Sequence, residues 1–336
     1  MNLITRSNPK FDELQDQLLQ TSNASPIYAT SFNEYYQAYC GLVPITKIEF
    51  IISSGETPVL LFLLHEFPSI RMKSQNYSYY GLPGLVALNL KVESAIQDLA
   101  VDEAFYQLRE IGLLHAIKNK SFELIFPDLS VRNSKLIEKF AHQSSSAIVF
   151  FERVIDLRKS RDQLMNEFSK SVKTAFKSDS SQDQDFKFIT GECAADVRKS
   201  AVRELKKLHY QSAGRKTRSD ETWELQELQL ANGSLAMGIG YRNGIMIHGA
   251  MYMLANSSAF YAVSANLKET SRTSIAHPFI FRSIFALKSI GIEKLYMGRQ
   301  YEELTREQSN KEKNIAKFQS FFGGDLILGI GLRSAG

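Results

Sequence analysis

Residues 234–264 read SLAMGIGYRNGIMIHGAMYMLANSSAFYAVS. Three apolar runs are separated by two short polar breaks. The first break, Arg242-Asn243-Gly244, contains Asn-Gly, the strongest short hairpin signal. The spacing therefore predicts a meander of strands at Ser234–Tyr241, Ile245–Leu254 and Ala259–Ser264, turning again at Asn256-Ser257-Ser258.

Outward from the meander the pattern changes period. A loop, Ala265–Ala276, enters a helix with Pro278 in its first turn, where a missing N–H costs nothing. Gly291 suits the stop of that helix. A strand (Lys294–Met297), a helix (Lys311–Phe321) and a strand (Leu326–Gly331) follow. Before the meander, Ser160–Lys177, Ala194–Gln211 and Asp220–Ala231 read as helices. Ser178–Gln184 reads as a loop, and a basic turn, Ala213 to Arg218, joins the last two helices. The first half reads alike: short helices (Phe11–Gln20, Phe32–Cys40), strands (Ile48–Ser53, Pro58–His65, and one near Tyr77–Ala87), and a helix over about 92–117 with Ile96, Leu99, Phe105, Leu108 and Ile111 near one face. A strand (Phe122–Phe126), a helix (Ser134–His142) and a strand (Ala147–Ile155) close it. One order of elements thus occurs twice, over roughly 11–155 and 160–331, without a residue-level match.

At 336 residues the chain exceeds what one core usually serves. Apolar residues make up 44% and charged ones 23%, ordinary globular usage that argues against a disordered or fibrous protein. The strongest apolar run, Pro58–Leu64, is far shorter than the roughly 20 residues of a membrane span. The polar start, Met1–Lys10, does not read as a secretory signal. Cys40 and Cys193 are the only cysteines and form no CxxC pair, which argues against a disulfide scaffold or a cysteine zinc site. A cytoplasmic protein without a membrane span is the expectation. The formal charge of +4 is uneven. Residues 1–150 hold 12 Lys/Arg against 15 Asp/Glu, and residues 151–218 hold 16 against 10. The positive excess reads either as a solvated face or as a groove for a phosphate-bearing ligand.

Three stretches carry a resemblance. The tail Lys311-Glu312-Lys313-Asn314-Ile315-Ala316-Lys317-Phe318-Gln319-Ser320-Phe321-Phe322-Gly323-Gly324 resembles the closing motif of the FemAB-like, double-GNAT acyltransferase family, with Lys311, Ile315, Phe318, Phe322, Gly323 and Gly324 matching. Phe151 to Leu157, with Leu164 and Phe168-Ser169-Lys170-Ser171, is similar to the family's entry into its second domain. His209, Gly214-Arg215, Trp223 and Gln226 look like a segment from the middle of that domain. The resemblance implies an α/β (α+β) chain of two tandem GNAT-like domains, each a mixed central sheet flanked by helices. They are expected at 1–150 and 151–336, with the chemistry in the second. The family usually has Lys where this chain has Gln319. In relatives that use aminoacyl-tRNA that lysine is thought to stabilise the oxyanion, whereas an amide donates a hydrogen bond without charge.

The resemblance implies direct attack of an amine on an acyl donor, which needs positioning, an oxyanion donor and a route for one proton. The donor is expected where two central strands splay, at Ala259–Ser264, with its phosphates at the loop Asn266–Pro278. That loop offers Lys268, Ser271, Arg272, Thr273 and Ser274 ahead of a helix start. The Gln/Arg-x-x-Gly-x-Gly/Ala signature of standard coenzyme A binding is absent there, and the alternative reading is a solvated connection. His209, Tyr261 and Gln319 are the catalytic candidates. Arg215, Arg218, Gln226, Ser264, Asn266, Arg272 and Lys311 are the candidates for substrate or donor binding. His248 reads as structural, Tyr261 alternatively as core filler, and Tyr77, Tyr79 and Tyr80 as a packed loop. No tightly bound cofactor or metal is expected; acyl-CoA or an acyl-carrier thioester would be co-substrate. The expected partners are a small-molecule or lipid-linked amino acceptor, an acyl carrier protein and, as an alternative, tRNA. The function this points to is N-acyl transfer to a sugar or cell-envelope (polysaccharide) precursor. The alternatives are a peptidoglycan-type aminoacyltransferase and a non-catalytic binding protein on the same scaffold.

Overall fold

The computed structural model describes residues 1–41, 43–67, 77–80, 82–116, 121–127, 134–141, 144, 146–179, 184–267, 275–301 and 307–335. The chain divides into two compact units. One comprises residues 1–152, 299–309 and 327–336, and the other 153–298 and 310–326.

In the first unit, β1 (Asn2–Thr5) precedes α1 (Phe11–Thr21) and α2 (Asn33–Cys40). Next come β2 (Thr46–Ser54), β3 (Thr57–Glu66), β4 (Tyr77–Ser78) and β5 (Gly84–Leu88), then α3 (Ser94–Glu110) and α4 (Leu113–Ala116). β6 (Ser121–Pro127) and α5 (Ser134–Ala141) follow, and β7 (Ser146–Asp156) leaves the unit after Glu152. Strand β1 pairs antiparallel with β2, β2 with β3, and β3 with β5, while β5 runs parallel to β6. The chain's last strand, Asp325–Ala335, returns to pair antiparallel with β6 over Gly329–Pro127 to Ala335–Ser121. Register puts Phe50 opposite Phe62, where the rings stack at 5.0 Å. They sit in the core that α3 covers with Ala100, Val101, Ala104 and Leu108. The helix thus turns a narrower stripe inward than the apolar positions suggest. Leu99 and Ile111 are 58% and 55% exposed, and Gln97 is buried in their place. Its amide donates to the carbonyl of Asn89.

The second unit opens with α6 (Arg161–Glu167) and α7 (Lys170–Asp179), then β8 (Gln184–Ile189), α8 (Ala195–Ala213) and α9 (Asp220–Ala231). The meander is β9 (Leu235–Arg242), β10 (Ile245–Ala255) and β11 (Ser258–Asn266). α10 (Ala276–Ser289), β12 (Lys294–Tyr301), which leaves the unit after Gly298, and α11 (Asn310–Ser320) complete it. Strands β8, β9, β10 and β11 pair antiparallel in that order, and β11 runs parallel to β12. Asn243 and Gly244 both take positive φ, as a type I′ hairpin requires. The helix expected over Ser160–Lys177 is two helices. A Ser160–Gln163 capping box starts α6, and the backbone N–H of Ser169 is taken by the carbonyl of Phe321, which interrupts the helical ladder.

The repeat of elements is closer in three dimensions than in sequence. Apart from β4 and α4 in the first unit and α6 and α7 at the start of the second, each unit runs strand, two helices, three antiparallel strands, helix, parallel strand, helix, with the same pairings. The leading strands β1 and β8 go unassigned in sequence; the first is four residues of an otherwise polar start. Among the described residues no helix is long and apolar enough to cross a membrane.

The closing Phe-Gly-Gly has a structural task. Phe322 is fully buried, ring to ring with Phe168, His277 and Phe318. Gly323 and Gly324 have φ of +70° and +82°, and their carbonyls accept from the Arg153 guanidinium at 3.0 and 3.3 Å. A Cβ on Gly324 would lie 2.6 Å from the Val154 carbonyl oxygen, a backbone atom that cannot swing away. Gly324→Ala is therefore expected to cost about 2–4 kcal/mol, combining left-handed strain with overpacking. Denaturant unfolding reads this, and an unchanged midpoint would show that the close approach is not required.

Candidate functional site

Strand β11 carries one residue too many for its partner. Met251 pairs with Val263 and Tyr252 with Tyr261, so Ala262 is the extra residue of a β-bulge. On the other side of β11, parallel pairing with β12 runs from Ser258–Lys294 to Phe260–Tyr296 and stops. β11 continues to Asn266. A bulge bends its strand and ends pairing, so Tyr261–Asn266 runs on unpaired with β12, overlapping the stretch where the resemblance implies a splay. Backbone groups released by such a parting need new partners. On β12 the carbonyl of Met297 receives one from Gln319, whose side-chain amide donates to it. Gln319 is buried there, and Gly298 (φ +122°) lacks the Cβ that would meet its nitrogen at 2.7 Å. One amide N–H of the expected oxyanion donor is thus committed to holding the strand.

Alternation along β10 and β11 turns His248, Ala250 and Tyr252, with Tyr261, Ser264 and Asn266, toward α10. The ring of Tyr261 packs 5.8 Å from that of Tyr252. Burial pushes its phenol up to about 12, against a smaller opposing hydrogen bond with Ser264, so it stays protonated through the physiological range. His248 is fully buried and stacks on Phe279 at 5.5 Å, 10° from parallel, with its Nδ1 2.7 Å from Asn266 Oδ1. Burial pulls this imidazole down to about 4.

A second group lies at α8 and α9. The Arg218 guanidinium sits 4.9 Å from the Trp223 ring centre, and its Nη1 is 3.4 Å from Gln226 Oε1. Trp223 donates to the Tyr210 hydroxyl, which donates to the Arg218 carbonyl, both at 3.1 Å. These two bonds fix the turn against the helix. His209 Nδ1 meets the Thr217 hydroxyl at 3.1 Å, with its ring edge-on to Trp223. Burial first, and the Arg218 charge second, lower this histidine to about 4. Gln226 is fully buried, and its Nε2 has no hydrogen-bond partner.

The candidates therefore fall into two sets. Tyr261, Ser264 and Asn266 share the α10 face, whereas Trp223, against which His209 and Arg218 pack, clusters with Val263 and Ala265 on the opposite face. Arg215 and Lys311 are exposed. Arg272, with Lys268, Ser271, Thr273 and Ser274, lies outside the described residues. Sequence reasoning assigns His248 to structure and finds no partner for Asn266. Register across β9, β10 and β11 joins them, and no spacing in the chain announces it. It also passes over the buried Glu49–His65 pair of the first unit, in contact at 2.5 Å with Arg6 against the same carboxylate.

No known family model matches the chain, and no curated protein resembles it in sequence. Its likeness to solved structures is three-dimensional. The crystal structure of FemX matches with a TM-score of 0.66 at 11% identity, over 98% of this chain and 97% of that one. The C-terminal domain of a putative lysylphosphatidylglycerol synthetase from Agrobacterium fabrum matches at 0.57 and 11% identity, over 98% and 93%. L-PGS from Bacillus licheniformis matches at 0.53 and 11% identity, over 98% and 92%. Two like-ordered α/β units in tandem, a bulged and parted central strand, and these likenesses show that the chain has the fold of FemX.

Proposed function

We propose that this protein is an N-acyltransferase. It would move an acyl group from a thioester, on coenzyme A or a carrier protein, to an amino group of a sugar or cell-envelope precursor. The observation that carries the reading is the bulge at Ala262, with the end of β11–β12 pairing at Phe260–Tyr296. An opened strand edge offers backbone donors and acceptors to an extended ligand, which supports assigning the acyl donor to it. In the transfer the amine nitrogen attacks the carbonyl carbon and the carbon–sulfur bond breaks. The nitrogen loses a proton and the departing thiolate gains one. Tyr261, held protonated beside the bulge, is the donor to sulfur. Ser264, Asn266 and Arg272 are assigned to the thioester donor. Arg215, Arg218, Gln226 and Lys311 are assigned to binding, since guanidinium holds carboxylate or phosphate but does not titrate. Gln319, with one N–H committed, retains a second for the oxyanion.

The reading is tested by free-thiol release with a panel of acyl-CoAs and amino sugars. Turnover with at least one pair is expected, and stabilisation by glycans alone, with no thiol release, would point to a binding protein. With an active pair, Tyr261→Phe is expected to lower kcat by about 10²-fold or more, the usual contribution of a proton donor, while donor KM stays within about threefold. An unchanged kcat would remove Tyr261 from the chemistry.

His209 packs on Trp223, on the sheet face opposite Tyr261, so it is assigned to shaping the Arg218 turn, and the proton of the amine is assigned to solvent. Its lowering to about 4 keeps it neutral at pH 7. Its ring protons, followed by NMR, are expected to titrate with a midpoint near 4; a midpoint near 6.5 would mean that the buried, Arg218-facing environment does not form.

The positive excess of residues 151–218 favours a second reading, aminoacyl transfer from tRNA. Binding of charged tRNA that weakens steeply with salt would support it. A salt-insensitive chain that does not shift tRNA would exclude it.

A further inference from the structure

Three residues lie in one row across the sheet of the second unit, since Gly240 pairs with His248 and His248 with Asn266. Phe279 of α10 covers the first two. A Cβ on Gly240 would stand 2.4 Å from the Phe279 ring, so only glycine lets that ring press flat onto the imidazole. The imidazole is thereby fixed in plane, fully buried, and in contact with Asn266 at 2.7 Å.

The hydrogen-bonding sense of this contact follows from what surrounds it. His248 stays neutral above about pH 4 and so carries one N–H. Nδ1 faces the Asn266 carbonyl oxygen, and Nε2 is buried without a partner. An orphaned buried N–H is costlier and rarer than an orphaned acceptor, so the proton belongs on Nδ1 and the lone pair on Nε2. Asn266 then accepts through Oδ1, and its Nδ2 is left to point elsewhere. Among the described residues Nδ2 donates to nothing, and Asn266 is half-buried at the end of the parted stretch of β11.

Resting on the donor assignment above, we infer that His248 is a positioning residue that turns the Asn266 amide so that its N–H groups bind an acceptor oxygen in the tail of an extended thioester donor. Five residues of strand separate Tyr261 from Asn266, about 17 Å at roughly 3.3 Å each. Asn266 is therefore too far along the strand to touch a carbonyl reacting beside Tyr261. It reads the far end of a long donor, such as an amide or phosphate oxygen of a phosphopantetheine arm. Its contribution belongs in donor KM and not in kcat.

The sense of the bond is read first on the unaltered chain, by long-range 1H–15N NMR of the imidazole. The Nδ1–H tautomer is expected, unchanged from pH 8 to 5.5, and the Nε2–H tautomer overturns the inference. Transfer is then compared with acetyl-CoA and with S-acetyl-N-acetylcysteamine, a short thioester that ends well before Asn266. Asn266→Ala and His248→Phe are each expected to raise KM for acetyl-CoA about tenfold, with kcat and the short donor unaffected. His248→Asn, which keeps a donor at the Nδ1 position, is expected to restore it. Equal losses with both donors would mean a merely structural role, and losses with His248→Phe but not Asn266→Ala would also overturn the inference. A wild-type chain that binds acetyl-CoA, with KM unmoved by either variant, sinks the positioning role alone. A wild-type chain that neither binds nor uses any acyl-CoA of the panel, an acyl-carrier thioester or the short thioester removes the thioester reading and the inference with it.

Discussion

A strand that parts from its neighbour inside a sheet must settle every N–H and C=O it releases, and that requirement organises the second unit. The extra residue at Ala262 bends β11 away from β12 after Phe260. On β12 the account is closed by protein, through the Gln319 amide on the Met297 carbonyl, with Gly298 clearing the space. Removing a partner from such a buried carbonyl costs about 1–3 kcal/mol. Gln319 is thus part of what keeps the parting stable. A residue suggested by its place in a motif as a participant in chemistry first has a duty to the fold.

The same motif shows how structural and chemical roles share a short segment. Phe322 anchors α11 among aromatic rings, and the two glycines pass close to the backbones of Val154 and Glu167. Arg153, at the start of the unit, donates to both glycine carbonyls. The two ends of the second unit's sequence are therefore fastened together by a guanidinium on backbone carbonyls.

The fold was legible because its signals are local. Asn243-Gly244, Pro278 and Gly291 each fix a turn or a helix end by their own backbone chemistry. The edges were less legible. Strand β8 alternates Phe186 and Phe188 with charged residues, but it follows a polar stretch and is only six residues long. The break at Phe168–Ser169 depends on the carbonyl of Phe321, more than 150 residues away, and no local pattern encodes it. The site was half legible for the same reason. Tyr261, Ser264 and Asn266 follow from the splay, whereas the tie between His248 and Asn266 depends on register. The separation of Tyr261 from the Arg218–Trp223 group follows from strand alternation, and sequence alone cannot say which face each helix covers.

The last strand of the chain lies against β6 of the first unit, where Arg333 meets Glu123 at 2.9 Å across 210 residues of sequence. Synthesis at about 5–20 residues per second separates the two strands by about 10–40 s. During that interval β6 has a free edge, and the amino-terminal unit is a sheet awaiting its final strand. The second unit is made and begins to fold inside that wait. The amino-terminal unit therefore stays open-edged until that strand is made, and an unpaired strand edge invites mispairing.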